Sequence, residues 1–416
     1  MTLLYLTFYF EPDLSAGSFR NTALVKELGR QLRAGDTIHV VTTQPNRYSS
    51  FRQAAPEKEV YVTPTGCRVM IHRVKVPAHD SGFLGQILAF WVYFWTAHHL
   101  AKWQTYSQVI ASSSRLFTAF LGAKLARKHQ ASLFLDIRDL FRETILELLK
   151  RKLGLLSVLR FGLAPLLWLI ERYTFGYAGH INLVSEGFQP YFTRYRRATY
   201  SYFTNGIDDE FMSQPITLPQ TASVKVLLYA GNIGDGQGLD KIIPAAASQL
   251  GNDFRFVIIG AGRCLERLEQ AIREKGLTNV KCYPPVSRNE LIAYYQRADY
   301  LFVHLNDLDA FRRVLPSKLF EYGATNKPIV AGVAGYAARF VAEYLPNSIL
   351  FEPGDVTSMV RQLRETPYLT TPRPAFKQLF GRRIIMQAMA SYILSKTDPN
   401  HTPWLPELKF YKSAWS

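Results

Sequence analysis

The stretch LLYLTFYFEPDLSAGSFRNTALVKELGRQL, residues 3–32, decides the fold class. Leu3 to Phe10 is an unbroken apolar and aromatic run, the composition of a strand buried on both faces of a parallel sheet. Residues 11–18 read as a loop with Pro12, Ser15, Ala16 and Gly17. From Phe19 to Leu32 the apolar positions Leu24, Val25, Leu28 and Leu32 recur near the helical period. Gly35-Asp36 then turns the chain into a second apolar run, 37–43. Strand, helix and parallel strand form the repeating unit of a doubly wound α/β sheet.

The same rhythm continues. Further strands are expected over 68–74, 106–112, 132–136, 180–185 and 200–203, and helices over 85–102, 115–128, 145–157 and 163–173. Residues 209–222, DEFMSQPITLPQTA, carry two prolines and no periodicity, so they read as a linker after a first domain of residues 1–208. The rhythm restarts in a second domain, 223–381. It has strands over 224–229, 254–259, 280–282, 300–304 and 328–331, and helices over 239–250 and 264–275. A last helix, 382–396, opens a C-terminal segment, 382–416, expected to pack back toward the first domain.

The 416 residues are 48% hydrophobic and 20% charged, which supplies large cores and excludes disordered, collagenous and small disulfide-scaffold classes. Forty-nine Lys and Arg against 33 Asp and Glu give a formal +16, a balance suited to anionic partners. Cys67, Cys264 and Cys282 are an odd number and far apart, as in a reducing compartment and with no metal-ligand spacing. No secretory leader is read, because Glu11-Pro12-Asp13 interrupts the first apolar run. Residues 81–101 lack Asp, Glu, Lys and Arg for 21 positions, a length that spans a bilayer. Gln86, Thr96, His98 and His99 would then lie in or near hydrocarbon, so a packed helix with one face toward a membrane is the better reading.

Ligands of doubly wound sheets sit beyond the carboxyl ends of the strands, where three loops stand out. The first carries Gly17 just ahead of a helix whose N-terminus can face an anion. The second, residues 230–238, AGNIGDGQG, has four glycines between a strand and a helix, without the spacing of a nucleotide-hydrolysing P-loop or a dinucleotide fingerprint. The third is LPSKLFEY, residues 315–322. Pro316 suits a helix start, the N–H groups of Val314 and Leu315 are placed for a diphosphate, and Lys318 adds charge. Glu321, one turn beyond Lys318, suits a ribose diol, and a Lys–Glu surface pair is the plain alternative.

These segments, with LFLDIRDLF (133–141), INLVSEGF (181–188), TNGIDDEF (204–211) and FVIIGAGR (256–263), resemble retaining glycosyltransferases of family 4. The resemblance runs through most of the chain. It is closest to the branch that builds O-antigen, capsule and exopolysaccharide repeat units, N-acetylfucosamine transferases included. It implies the GT-B fold: two Rossmann-like αβα domains facing each other across a cleft. It assigns the donor to Gly17, Asn232, Gly234, Gln237, Arg263, Val286, Arg313, Val314, Leu315, Ser317, Lys318 and Glu321. The acceptor region falls to Ser15, Gly17, Arg138 and Asp139, and catalysis to Lys318, Glu321 and Asp139. Two departures stand out. Arg313 occupies the place of the first glutamate of the family's E-x7-E motif, and Gln237 stands where many members have a basic residue. Arg263, Arg312 or Arg313 is then the replacement cation.

The implied reaction transfers a sugar from a nucleoside diphosphate, most simply a UDP-sugar such as UDP-N-acetyl-L-fucosamine, to a polyprenyl-diphosphate-linked saccharide. No metal or other cofactor is expected, since Asp307-Leu308-Asp309 reads as a solvated turn. Leu-rich helices with Lys150, Arg151, Lys152, Arg160 and Arg172, and the aromatic run 90–95, suit an anionic inner-membrane surface on its cytoplasmic side. Three rivals stay open. A nucleotide-sugar epimerase lacks support, since the first loop has no GxxGxxG. Nucleic-acid binding would use the positive charge, but no zinc spacing or basic recognition helix is present. A non-enzymatic interaction protein would leave the glycine loops unexplained.

Overall fold

A computed structural model describes residues 1–46, 54–77, 83–113, 116–150, 155–213, 223–398 and 401–405. The chain divides into two compact units, residues 1–205 with 382–416, and residues 206–381.

The first unit holds strands β1 (Thr2–Thr7), β2 (Thr37–Thr43), β3 (Lys58–Val62), β4 (Arg68–Val74), β5 (Gln108–Ser113), β6 (Ser132–Ile137), β7 (His180–Leu183) and β8 (Thr199–Ser201). They form one sheet in the order β3-β4-β2-β1-β5-β6-β7-β8, parallel throughout except for β3. Its helices are α1 (Ala16–Gln31), α2 (Phe83–Ala101), α3 (Leu116–His129), α4 (Phe141–Lys150), α5 (Leu155–Phe175) and α6 (Gln189–Phe192). The second unit starts with the short helix α7 (Asp209–Met212). Strands β9 (Lys225–Ala230), β10 (Phe254–Ile259), β11 (Val280–Tyr283), β12 (Tyr300–His304), β13 (Ile329–Gly332) and β14 (Ser348–Phe351) follow. They form a parallel sheet ordered β11-β10-β9-β12-β13-β14. Between and after them come α8 (Leu239–Leu250), α9 (Leu265–Glu274), α10 (Arg288–Arg297), α11 (Lys318–Gly323), α12 (Gly335–Tyr344), α13 (Val356–Glu365) and α14 (Pro374–Phe380). The last helix, α15 (Arg382–Ser395), belongs to the first unit, where Gln31 Nε2 of α1 donates to Gln387 O at 3.0 Å.

Several expected boundaries move, each for a local reason. β1 ends at Thr7 instead of Phe10, because side chains take over the ladder: Thr43 Oγ1 donates to Phe8 O at 2.6 Å and Asn21 Nδ2 to Tyr9 O at 2.8 Å. α1 begins at Ala16, with Ser15 accepting from Ser18 N at 3.1 Å as N-cap, so Gly17 lies in the first helical turn and not in the loop. β3 is missing from the sequence reading; it is an antiparallel edge strand whose alternating exposure gives no continuous apolar run. β14 was likewise not expected, being only four residues long. The expected helix 145–157 crosses residues 151–154, outside the described residues, and the chain forms α4 and a longer α5 on either side. In the expected linker, 209–212 are helical and 214–222 lie outside the described residues.

Helix α2 buries Ala89, Phe90, Tyr93, Phe94, Ala97 and Ala101 and exposes Ile87, Leu88, Trp91 and Trp95. No described helix is long and apolar enough to cross a membrane.

One buried ion pair organises the first unit. Arg20 of α1 donates from Nε and Nη2 to the two oxygens of Asp136 on β6, both at 2.9 Å, with neither side chain exposed. Ser112 Oγ at 3.0 Å and Asn182 Nδ2 at 2.7 Å complete the carboxylate's shell. Arg20 also donates to the carbonyls of Phe203 and Thr204 and lies 3.4 Å from Met389 Sδ of α15. Burial alone would raise the Asp136 carboxyl, but Arg20 outweighs it and holds it below the usual range. Removing one partner of such a pair strands the other charge. Asp136→Asn is therefore expected to cost the first unit about 3–5 kcal/mol, read as a lower urea midpoint. A loss below about 1 kcal/mol would show that the pair is not holding the unit together.

Candidate functional site

In the second unit, two glycine loops at the carboxyl ends of β9 and β10 are zipped together. Gly231 N donates to Ile259 O at 2.8 Å, Ile233 N to Ala261 O at 2.9 Å, and Cys264 N to Ile233 O at 3.0 Å. Gly260, at φ +150°, passes so close that a Cβ there would collide with the Gly231 carbonyl; only glycine fits. The loop is then braced from within. Gln237 Oε1 accepts from Asn232 Nδ2 at 3.0 Å and from Gly234 N at 3.2 Å, and Tyr229 donates to Asn232 O at 2.5 Å. His304 Nδ1 bonds Gln237 O at 2.6 Å while its Nε2 accepts from Gly354 N at 2.9 Å, which sets the tautomer. Burial lowers its pKa, so it is neutral.

Helix α11 carries two predicted residues on one short turn and brings Lys318 to this loop. Leu319, Phe320 and Tyr322 are buried, and Tyr322 Oη donates to Phe302 O at 3.2 Å, fixing the helix on the sheet. Lys318 Nζ lies 5.1 Å from the centre of the Tyr229 ring and beside Gly231, in the space a Cβ there would fill. Glu321, half-buried, accepts from Tyr295 Oη at 2.8 Å. Burial raises its carboxyl pKa, and Arg288 opposes that rise. The two side chains thus face different partners, in place of the plain i,i+3 pair.

Other donor candidates fall around them. Val286 lies between β11 and α10; Arg313 is in a 3₁₀ turn, Phe311–Arg313, and Val314 N donates to Phe311 O at 3.2 Å. Leu315 is buried, and Ser317 is the N-cap position of α11. Arg263 pairs with Asp235 inside the glycine loop, where Arg267 also reaches Asp235 at 2.8 Å. Arg312 holds Asp307 at 2.9 Å, as in the expected turn. Among the described residues no group of three His, Cys, Asp or Glu is set to hold a metal ion.

In the first unit, Ser15 and Gly17 open α1, and Arg138 and Asp139 follow the end of β6. A Cβ on Gly17 would strike the Arg138 guanidinium, whose pKa burial lowers to about 10. Asp139 lines a small pocket together with Leu116, Phe141, Glu171 and Tyr191. Burial pushes its carboxyl up to about 6, against a 3.4 Å hydrogen bond from Thr144.

The sequence reading missed Arg288, Tyr295 and Asp208. Arg288 and Tyr295 are seven apart on α10, a spacing that places both on one face, but nothing in the sequence aims that face at Glu321.

With this geometry in hand, the comparisons are decisive for one part of the chain. The family described as Glycosyl transferases group 1 matches residues 216–366. Those residues match a group 1 domain. They contain both glycine loops, Arg288, Tyr295, Lys318 and Glu321. The chain is 31% identical over 160 residues to WcaI of Escherichia coli (strain K12), named as a colanic acid biosynthesis glycosyl transferase. The match covers 38% of this chain and spans about two fifths, 39%, of that relative. Around the group 1 domain, the whole fold is that of GT-B structures. Anabaena Alr3699/HepE, solved with UDP and glucose, superposes with a TM-score of 0.62 at 15% identity, over 95% of this chain and 100% of its own. WaaG, a glycosyltransferase involved in lipopolysaccharide biosynthesis, gives 0.61 at 15%, over 95% and 99%.

Asp139 yields a prediction independent of activity. Its folded pKa near 6 exceeds the ordinary carboxylate value, so between pH about 4 and about 6 the folded state holds more protons than the unfolded state and stability falls as pH rises across that window. Asp139→Asn removes this loss. Its melting temperature is expected to gain on the unchanged protein from pH 4 to pH 6.5 and then hold; a constant difference at all pH values would contradict the buried-carboxyl assignment.

Proposed function

We propose that the chain is a retaining glycosyltransferase that moves a sugar from a UDP-sugar, UDP-N-acetyl-L-fucosamine being the candidate, to a polyprenyl-diphosphate-linked saccharide in O-antigen, capsule or exopolysaccharide synthesis. The observation that carries this reading is the Lys318 ammonium set against a closed glycine loop, with the Glu321 carboxylate one turn along the same helix. Backbone N–H groups and a fixed cation suit a diphosphate, and a carboxylate suits a ribose diol. HepE, of the same fold, was solved with UDP and glucose, and WcaI is named for colanic acid biosynthesis; both support this direction.

In the reaction, the bond from the anomeric carbon to the donor phosphate breaks and a bond to the acceptor oxygen forms on the same face. The acceptor proton passes to the departing phosphate, so no protein nucleophile is needed. Lys318 offsets the charge that grows on the leaving diphosphate, an electrostatic contribution that requires no metal in this proposal. Arg138, beside Gly17 in the first unit, and its neighbour Asp139 are assigned to the acceptor.

The test is calorimetry with UDP, GDP, ADP and TDP, first without metal and then with magnesium. Metal-independent, UDP-selective binding is expected, weakened at least tenfold by Glu321→Gln. A GDP preference would discard the UDP assignment, and faster turnover of UDP-glucose than of UDP-N-acetyl-L-fucosamine on one acceptor would discard the sugar.

The lipid-linked acceptor also calls for a membrane surface, and exposed rings of the first unit support that reading. Trp91, Trp95, Phe161, Trp168 and Leu169 are exposed, and Trp103 is 78% exposed. Cations lie over this aromatic face: Lys124 at 5.5 Å from the Trp95 ring, Lys128 at 5.5 Å from Trp103 and Arg172 at 5.5 Å from Trp168. Rings that enter the interface beside cations that meet phosphate suit the anionic cytoplasmic face of the inner membrane. Of the basic residues first assigned to it, Arg151 and Lys152 lie outside the described residues. Sedimentation with phosphatidylglycerol vesicles is expected to carry the protein down, and Trp91→Ser with Trp103→Ser to leave most of it in solution. Equal recovery with uncharged vesicles would remove the electrostatic part of the assignment.

A further inference from the structure

The residues that surround Glu321 come from a part of the chain with no role in the reading so far. Asp208 and Glu210 lie just after the point where the chain passes from the first unit into the second. That incoming segment is pinned by its backbone: Ile207 N donates to Phe380 O at 2.7 Å, and Ile207 pairs with Gly381. Arg288, at the first position of α10, forms an ion pair with Asp208 and places Nε 3.1 Å from Glu210 Oε2. Its guanidinium lies 5.1 Å from the centre of the Phe211 ring, which stacks at 5.7 Å on Tyr295. Tyr295 in turn donates to Glu321. A continuous set of contacts thus joins the incoming segment to the proposed ribose carboxylate within one unit.

The charges in this set are unequal. Three carboxylates, Asp208, Glu210 and Glu321, act on the Arg288 guanidinium. From the other sides, Glu321 feels Lys318 on its own helix and the Tyr295 and Tyr322 hydroxyls, while Lys377 of the neighbouring α14 is directed to Met212 O at 3.0 Å. Arg288 favours the charged form of Glu321, and Asp208 opposes it. A carboxylate that must accept hydrogen bonds from a diol works only when ionised.

We propose that Arg288 is a positioning residue for the donor carboxylate, shared between Glu321 and the incoming segment, so that Asp208 and Glu210 set how much of its charge Glu321 receives. This rests on the reading of Glu321 as the ribose ligand. It makes the two sides of one ion pair act in opposite directions on donor binding, which a purely structural pair does not do.

The experiment measures UDP affinity by calorimetry between pH 5.5 and 8.5 for the unchanged protein and for Arg288→Met, Arg288→Lys, Asp208→Asn and Glu321→Gln, with melting curves for each. Comparison at equal pH cancels the titration of UDP itself. Arg288→Met is expected to bind severalfold more weakly at the acid end of this range, where loss of the cation favours the protonated Glu321 carboxyl, and to recover toward pH 8.5. Arg288→Lys retains most of the affinity, and Asp208→Asn shifts the profile the opposite way, keeping affinity to lower pH. Arg288→Met and Asp208→Asn weakening UDP equally at every pH would overturn the proposal. Should Arg288→Met fail to fold, the sign of the Asp208→Asn shift decides: a shift to lower pH supports the proposal and no shift overturns it. Glu321→Gln that binds UDP as tightly as the unchanged protein would instead overturn the ribose reading itself.

Discussion

A single guanidinium sits at the centre of the first unit. Arg20 is fully buried, and every element it touches is held by a hydrogen bond that it must make or leave its charge uncompensated. Asp136 fixes it to the middle of the sheet. The carbonyls of Phe203 and Thr204 fix the last residues before the second unit, and Met389 brings in the C-terminal helix. Apolar contacts can slide at little cost, but a desolvated bidentate pair has one register. Residues far apart in sequence, on α1, β6 and α15, are thereby placed relative to one another, and the end of β6 leads directly into Arg138 and Asp139.

The second unit solves a different problem. Its two glycine loops are ordered by bonding to one another through the N–H groups of Gly231, Ile233 and Cys264. Here the order comes from closeness. Gly260 and Gly262 let one loop lie against the carbonyls of Gly231 and Ile233, and Gln237 holds the turn with its side-chain oxygen. Because the loop fills its own interior, Lys318 reaches it from outside, over the space that only a glycine at 231 leaves empty. Arg263, one of the candidate cations for a diphosphate beside Arg312 and Arg313, is used in bracing the same loop through Asp235.

Charge is distributed unevenly over the molecule. The formal +16 first suggested an anionic partner of any kind. Part of that excess, on α3 and α5, lies beside the exposed rings of Trp95, Trp103 and Trp168. Around Glu321 the balance reverses, with three carboxylates sharing Arg288. A net charge cannot convey such a pattern, since it counts groups and not the dielectric in which each one sits.

The α/β class, the parallel strands and the three loops beyond strand ends follow from the sequence alone, because apolar runs of strand length alternating with helical periods leave few other ways to bury so much surface. Glu321 and Lys318 were legible too, through a proline at a helix start and their spacing on one turn. The exact ends of β1 and α1 were not, since Asn21, Thr43 and Ser15 intervene through hydrogen bonds that have no periodicity. Nor were the partners of Glu321. Arg288 and Tyr295 lie 33 and 26 residues from it, and Asp208 lies 113 away; packing of α7, α10 and α11 brings them together. Local sequence determines which residue types stand at the ends of strands, because backbone propensity and burial act over a few residues. Tertiary structure decides which charges face one another, because the interaction depends on distance and on lost water, and neither is a property of the chain read in order.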